Sequence, residues 1–252
     1  MNARSRIGLY GGTFDPVHLG HLAIARNVCE LFEIGQVVFI PAQMAPHKVG
    51  REVTPPLYRY AMLVLATQND PRLLVSTFEL DSQDTSYTVD TLAHFKALLG
   101  PSCDLFFIMG ADSWSEITTW RDWKRVLSIA NHIVVTRPGY DIQEQSEELR
   151  SRLIDVRSVY QGQEPEGGTG SGTTAIDSQL LQGGSGKVFV TNAVMKDVSA
   201  TEVRLAVNSG RLDALEKLVP EPVAEYIRKY GIYRKSNGPQ FHSQKEIVES
   251  AD

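Results

Sequence analysis

Apolar positions along the chain fall into two alternating patterns. Short continuous apolar runs predict buried strands: "RIGLY" (6–10), "QVVFIPA" (36–42, ended by Pro41), "DLFFIMG" (104–110) and "HIVVTRPG" (132–139). "RLLVSTFEL" (72–80) is β-like, and "KVFVT" (187–191) resumes the same pattern late in the chain. Between these runs the spacing is helical. From His18 onward, Leu22, Ala25, Cys29 and Phe32 recur three or four residues apart. "PLYRYAMLVLATQ" (56–68) places Met62, Leu65 and Ala66 on one side, and "YTVDTLAHFKALLG" (87–100) ends at Gly100, a residue suited to stopping a helix. Buried strands alternating with helices imply βαβ units, hence an α/β fold whose parallel sheet carries helices on both faces. In such sheets ligands bind outside the carboxyl ends of the strands.

The alternation breaks between 161 and 186, where eight of the 20 glycines fall among Ser, Thr and Gln. That composition buries too little apolar surface to offset ordering entropy, and it predicts a flexible insertion within one domain spanning 1–234. Residues 235–252 are polar and are expected to be a disordered tail. The net charge of −5, 42% hydrophobic and 22% charged residues describe a globular chain with no basic face for nucleic acid. No apolar run is long enough to span a bilayer, and the N-terminus lacks the apolar core of a signal peptide. Cys29 and Cys103 are far apart and are expected to be buried, reduced thiols. A cytoplasmic location is the expectation; whether copies form a homo-oligomer stays open.

Chemistry concentrates in "YGGTFDPVHLGHL" (10–22). Gly11 and Gly12 follow a strand and are expected to turn the backbone sharply and leave room for a ligand. Pro16 suits the approach to a helix. His18 and His21 then fall three apart in its first turn, with Gly20 between them leaving space. A helix N-terminus favours phosphate, and two imidazoles add directed donors where charge builds on a transferring phosphoryl group. Metal ligation and a pair of incidental surface histidines are the competing readings; zinc takes roughly three or four protein ligands, and no Cys or carboxylate stands at suitable local spacing. A second helix start, "VSATEVRLAV" (198–207), shows Ser199 and Glu202 as a capping box, which leaves Thr201 and Arg204 unexplained.

The stretch "GTFDPVHLGHL" resembles the G-x-F-x-P-x-H-x-G-H signature of the nucleotidylyltransferase superfamily, which transfers a nucleoside monophosphate to a phosphate-bearing acceptor. "VSATEVR" is similar to its I-S-[ST]-[ST]-x-[IV]-R motif, with Ala200 in place of a hydroxyl residue. "IPAQMAPHK", "TSYTVDTL", "FIMGADSWSEITTWRDWKRV", "RPGY" and "LVPEPVAEYIRKYGIY" resemble segments of the bacterial nicotinate-nucleotide adenylyltransferases, over roughly 7–140 and 188–233. The resemblance implies a Rossmann-like, doubly wound parallel sheet with a C-terminal helical segment.

It further implies transfer of AMP from ATP to nicotinate mononucleotide, giving nicotinate adenine dinucleotide and pyrophosphate on the way to NAD. His18, His21 and Arg204 would be catalytic. Gly11, Gly12, Thr13, Phe14, Gly20, Gly110, Asp112, Ser199 and Thr201 would join them in holding ATP. Thr13, His47, Lys48, Ser86, Tyr87, Thr88, Trp120, Arg121 and Arg137 would form the acceptor site, with Trp120 stacked on the pyridine ring. Mg²⁺ would arrive with ATP, without protein ligands. The residues themselves leave other readings open: Trp114, Trp120 and Trp123 as a core cluster, Tyr87 as packing, Arg137 as a surface charge, Asp112 as a helix cap. Nicotinamide mononucleotide or phosphopantetheine as acceptor, or a nucleotide-sensing module without turnover, are the alternatives in function.

Overall fold

The structure is a computed structural model of the 252-residue chain and describes residues 4–43, 53–82, 86–136, 146–159, 175–182, 184–192 and 198–234. In chain order its strands and helices are β1 (Ser5–Gly12), α1 (Leu19–Leu31), β2 (Gln36–Pro41), α2 (Pro56–Thr67), β3 (Leu73–Val75), α3 (Thr88–Leu99), β4 (Cys103–Gly110), α4 (Ala111–Ser115), α5 (Trp123–Ile129), β5 (Asn131–Val135), α6 (Glu147–Arg150), β6 (Leu153–Asp155), α7 (Ser178–Leu181), β7 (Val188–Thr191), α8 (Ala200–Asn208) and α9 (Glu221–Tyr230). Short 3₁₀ turns at Ile117–Thr119 and Leu215–Lys217 complete it.

The strands form one parallel sheet in the order β3-β2-β1-β4-β5-β7-β6. Consecutive residues of β4 alternate between its two faces: Phe106 and Ile108 pack into one core with Phe32 and Phe189, while Leu105, Phe107 and Met109 pack into the other with Leu92 and Trp114. Burial on both sides explains why the strands read as unbroken apolar runs. From β1 the sheet grows one way through β2 and β3 and the other way through β4 and β5, so a crevice opens at the carboxyl ends of β1 and β4. The expected Rossmann-like fold is what the chain adopts. Among the described residues no helix is long and apolar enough to cross a membrane.

Three local expectations are corrected. The β-like run 72–80 is a strand only over Leu73–Val75, because the Ser76 hydroxyl accepts from Phe78 N–H (3.1 Å) and the Asp81 N–H donates to Thr77 O (2.9 Å), turning the chain instead. The short edge strand β6 and the helix α6 were not expected at all. Of the insertion expected at 161–186, the described residues 175–182 and 184–186 are folded into the body. Ile176 and Leu181 are buried in the core, and Ile176 N–H donates to Leu31 O at 3.0 Å. Two large aliphatic side chains were enough to anchor a segment whose average composition is polar. Residues 161–174 and the 235–252 tail lie outside the described residues.

Candidate active site

The strand β1 runs on through Gly11 and Gly12, so the two glycines do not make the turn expected of them. Space beside them is tight: a Cβ on Gly11 would sit 3.1 Å from the Phe107 ring, and one on Gly12 3.0 Å from the Phe14 ring, so either ring would have to give by a few tenths of an ångström. The backbone turns at Phe14, which adopts a left-handed φ of 49°. Phe14 and Tyr10 then flank His21 edge-on, with ring centroids 5.0 and 6.0 Å away.

His18 is the N-cap of α1 and His21 its third residue. Their rings stack at 3.6 Å with an interplanar angle of 27°. His18 is buried at 8% exposure and His21 half-buried. His18 N–H donates to His21 Nδ1 at 3.3 Å, which fixes the neutral His21 tautomer with its proton on Nε2. The helix therefore caps itself with the very histidines that the sequence assigned to phosphate. It also spends one N–H elsewhere, since Leu19 N–H donates to Leu218 O at 2.9 Å; the N-terminus is less open to an anion than the sequence suggested.

The late motif is brought to the same place. Ser199 caps α8, accepting from Glu202 N–H at 3.1 Å. One turn on, Arg204 donates through Nη1 to Asp15 O (2.5 Å) and through Nη2 to Thr201 Oγ1 (2.8 Å). Asp15 lies on the loop between Phe14 and His18 and is itself buried, its Oδ1 accepting from the Tyr233 hydroxyl at 2.8 Å. Residues 189 positions apart thus meet at the loop that runs from Thr13 and Phe14 to His18, with His21 against the Phe14 and His18 rings and Thr201 beside Arg204.

On the other side of the crevice, β4 ends at Gly110, which caps the short α4. Asp112 is exposed in the first turn of that helix and is not its cap. Phe107, which touches the Gly11 position, also meets Trp120 edge-on at 6.2 Å. The three tryptophans separate: Trp114 is buried at 1% exposure, whereas Trp120 and Trp123 are half-buried. Tyr87, 39% exposed, caps α3 under the Arg121 guanidinium, 4.6 Å from its ring centre; it is not a core side chain. Thr88 opens α3 and Ser86 precedes it, both half-buried. Gly20 is buried in α1. His47, Lys48 and Arg137 lie outside the described residues.

Sequence reasoning passed over Asp15, Tyr233 and Arg59. Arg59 is buried at 1% exposure in α2, on the stripe of Met62, Leu63 and Ala66; the spacing 59, 62, 63, 66 carried that signal. Burial pushes the Arg59 guanidinium down from its ordinary value, and the Asp15 charge opposes this. Burial likewise pushes the Tyr233 phenol well up, with Asp15 adding to the shift.

A parallel sheet with a histidine pair at the head of its first helix and an arginine returned from a late helix is an arrangement suited to nucleotidyl transfer, and residues 9–206 match the Cytidylyltransferase-like family. Curated relatives named probable nicotinate-nucleotide adenylyltransferase include one from Thermoanaerobacter sp. (strain X514), 35% identical over 93% of this chain and 97% of its own length, and one from Moorella thermoacetica, 36% identical over 91% and 92%. The chain belongs to the nicotinate-nucleotide adenylyltransferase family. The fold is similar to that of Plasmodium falciparum nicotinic acid mononucleotide adenylyltransferase complexed with NaAD, at TM-score 0.62 and 18% identity over 91% of this chain and 97% of that one.

Proposed function

We infer that the protein transfers AMP from ATP to nicotinate mononucleotide, forming nicotinate adenine dinucleotide and pyrophosphate. The observation that carries this, beside family membership, is the convergence of His18, His21 and Arg204 on the Thr13–His18 loop at the carboxyl end of β1. A phosphate oxygen of the acceptor attacks the α-phosphorus of ATP; the bond from that phosphorus to the β-phosphate oxygen breaks, and pyrophosphate leaves. The attacking oxygen is already ionised near neutral pH, so no side chain has to remove a proton. The protein's task is alignment and neutralisation of charge.

His21 supplies an Nε2–H donor whose direction is set by the bond at Nδ1. Arg204 contributes positive charge at the loop, and Thr201 holds its guanidinium in place. ATP is taken as its Mg²⁺ complex, with the ion riding on the phosphates. On the acceptor side, Trp120 offers a half-buried aromatic face and Thr88 a helix N-terminus for the pyridine carboxylate. We assign the reaction to the cytoplasm, in keeping with Cys29 and Cys103 as buried free thiols.

Pyrophosphate release from MgATP, with nicotinate mononucleotide and nicotinamide mononucleotide in parallel, tests the reading. Strong preference for the acid is expected. Equal or reversed preference would remove Thr88 and Trp120 from the acceptor assignment, and no release with either would return the chain to a nucleotide-sensing role.

A further inference from the structure

The helix α2 turns a charged residue inward. Its other inward residues are Met62, Leu63, Ala66 and, in the last turn, Thr67; none of these is charged. Moving a guanidinium out of water is costly, so its partners matter. Arg59 Nε donates to Thr54 O at 2.8 Å, Nη1 to Thr13 O at 2.6 Å, and Nη2 to Ala42 O at 2.6 Å and Gln43 O at 3.3 Å. All of these acceptors are main-chain carbonyls, and they come from three separate segments.

Two of these segments lead into the site. Thr13 begins the loop that carries Asp15 and His18. Ala42 and Gln43 continue from the carboxyl end of β2, where Ala42 N–H also donates to Gly12 O at 2.9 Å. Thr54 stands just before α2, whose helix begins two residues later at Pro56. Arg59 is therefore the point at which the end of β1, the end of β2 and the entry to α2 are fastened together. A planar fork can reach several carbonyls at fixed angles; a lysine ammonium, with its donors on one atom, cannot span them.

We propose that Arg59 is a positioning residue for adenylyl transfer: through its four carbonyl contacts it sets the spacing between the Thr13 loop, which carries Asp15 and His18, and the carboxyl end of β2. This rests on the adenylyl-transfer reading above. Arg59 touches neither substrate; it acts through Thr13 and Gln43. In-line displacement tolerates little misplacement, and a shift of about 1 Å costs on the order of a hundredfold in rate.

The test uses Arg59→Lys and Arg59→Gln in the full chain, with folding checked by circular dichroism and thermal melting. Both kcat and the two KM values are measured by pyrophosphate release well below the melting temperature, and MgATP binding without acceptor is measured by calorimetry. A positioning role predicts kcat lower by about a hundredfold, with MgATP affinity weakened by less than about tenfold. A folded variant whose kcat stays within about twofold of wild type overturns the proposal, as does failure of both variants to fold, which would make Arg59 a structural residue alone. If wild type releases no pyrophosphate with nicotinate mononucleotide, the functional reading fails separately. Calorimetry then decides Arg59: weakened MgATP binding supports its hold on the Thr13 loop, and unchanged binding overturns it.

Discussion

The Tyr233 hydroxyl donates to Asp15 Oδ1 at 2.8 Å, joining residues 218 positions apart. The segment after α9 thereby holds the loop that presents His18, and the same Asp15 offers its carbonyl to Arg204. Three parts of the chain that are far apart in sequence meet at one buried aspartate, 3% exposed.

Replacing Tyr233 with Phe removes that donor and leaves Asp15 buried with one partner fewer. Leaving such a group under-satisfied costs about 1–3 kcal/mol, read as a lower urea midpoint at unchanged slope. Because Asp15 also anchors Arg204, turnover should fall with stability rather than independently of it. A stable, fully active Tyr233→Phe variant would show the bond to be incidental.

Tyr233 also sets an alkaline limit. Burial pushes its phenol well above the ordinary value of 10.0, and burial pushes Tyr10 up as well. Above about pH 10 an unfolded chain gives up these protons while the native chain keeps them, so the unfolded state binds fewer protons and stability falls as pH rises. Urea midpoints should therefore drop from about pH 9 to about pH 11, and Tyr233→Phe should flatten part of the slope. An identical slope in the variant would place the titrating group elsewhere.

His21→Asn separates capping from catalysis. The Asn side-chain oxygen can still accept from His18 N–H, preserving the cap, but Asn lacks the imidazole Nε2–H. We expect kcat to fall by roughly 10²–10³ with a stability change under about 1 kcal/mol. Unchanged turnover in a folded variant would reject the phosphate role of His21.

Much of this site was legible because its determinants are local. The "GTFDPVHLGHL" spacing placed both histidines at the head of α1, and unbroken apolar runs marked β1, β2, β4 and β5. What stayed hidden depends on contacts across the fold. The partnership of Asp15 with Tyr233 leaves no trace in spacing. The turn expected at the two glycines falls at Phe14 instead, because β1 runs on through Gly12, and the Phe107 ring beside Gly11 lies on another strand. Arg59 was readable in principle, since a cation on an apolar helical stripe needs an explanation.

The folded part of the glycine-rich region gives a stability test. Ile176, 2% exposed, packs into the core beside α1 although its neighbours are polar. Ile176→Ala should cost about 2–5 kcal/mol by the usual cavity penalty, whereas a residue in a detached spacer would cost almost nothing. A loss below about 0.5 kcal/mol, the range of exposed substitutions, would restore the flexible reading for this segment.

His132 supplies the acid counterpart to Tyr233. It lies wholly buried in β5, with the Phe107 ring 6.1 Å away, and burial pushes its imidazole down to about 3, helped by the charge of Arg152. In the unfolded chain the same group titrates near 6.5. Between these values the unfolded state holds a proton that the native state does not, so stability is fully present above pH 6.5 and is lost as pH falls toward 3, by about 1.4 kcal/mol per pH unit at most. His132→Phe keeps an aromatic ring of similar breadth and cannot titrate. Its urea midpoint should change less than that of wild type between about pH 7 and about pH 4.5. Equal losses in the two proteins over that interval would assign acid sensitivity to the carboxylates instead, and would mean that His132 gains a proton without unfolding the strand around it.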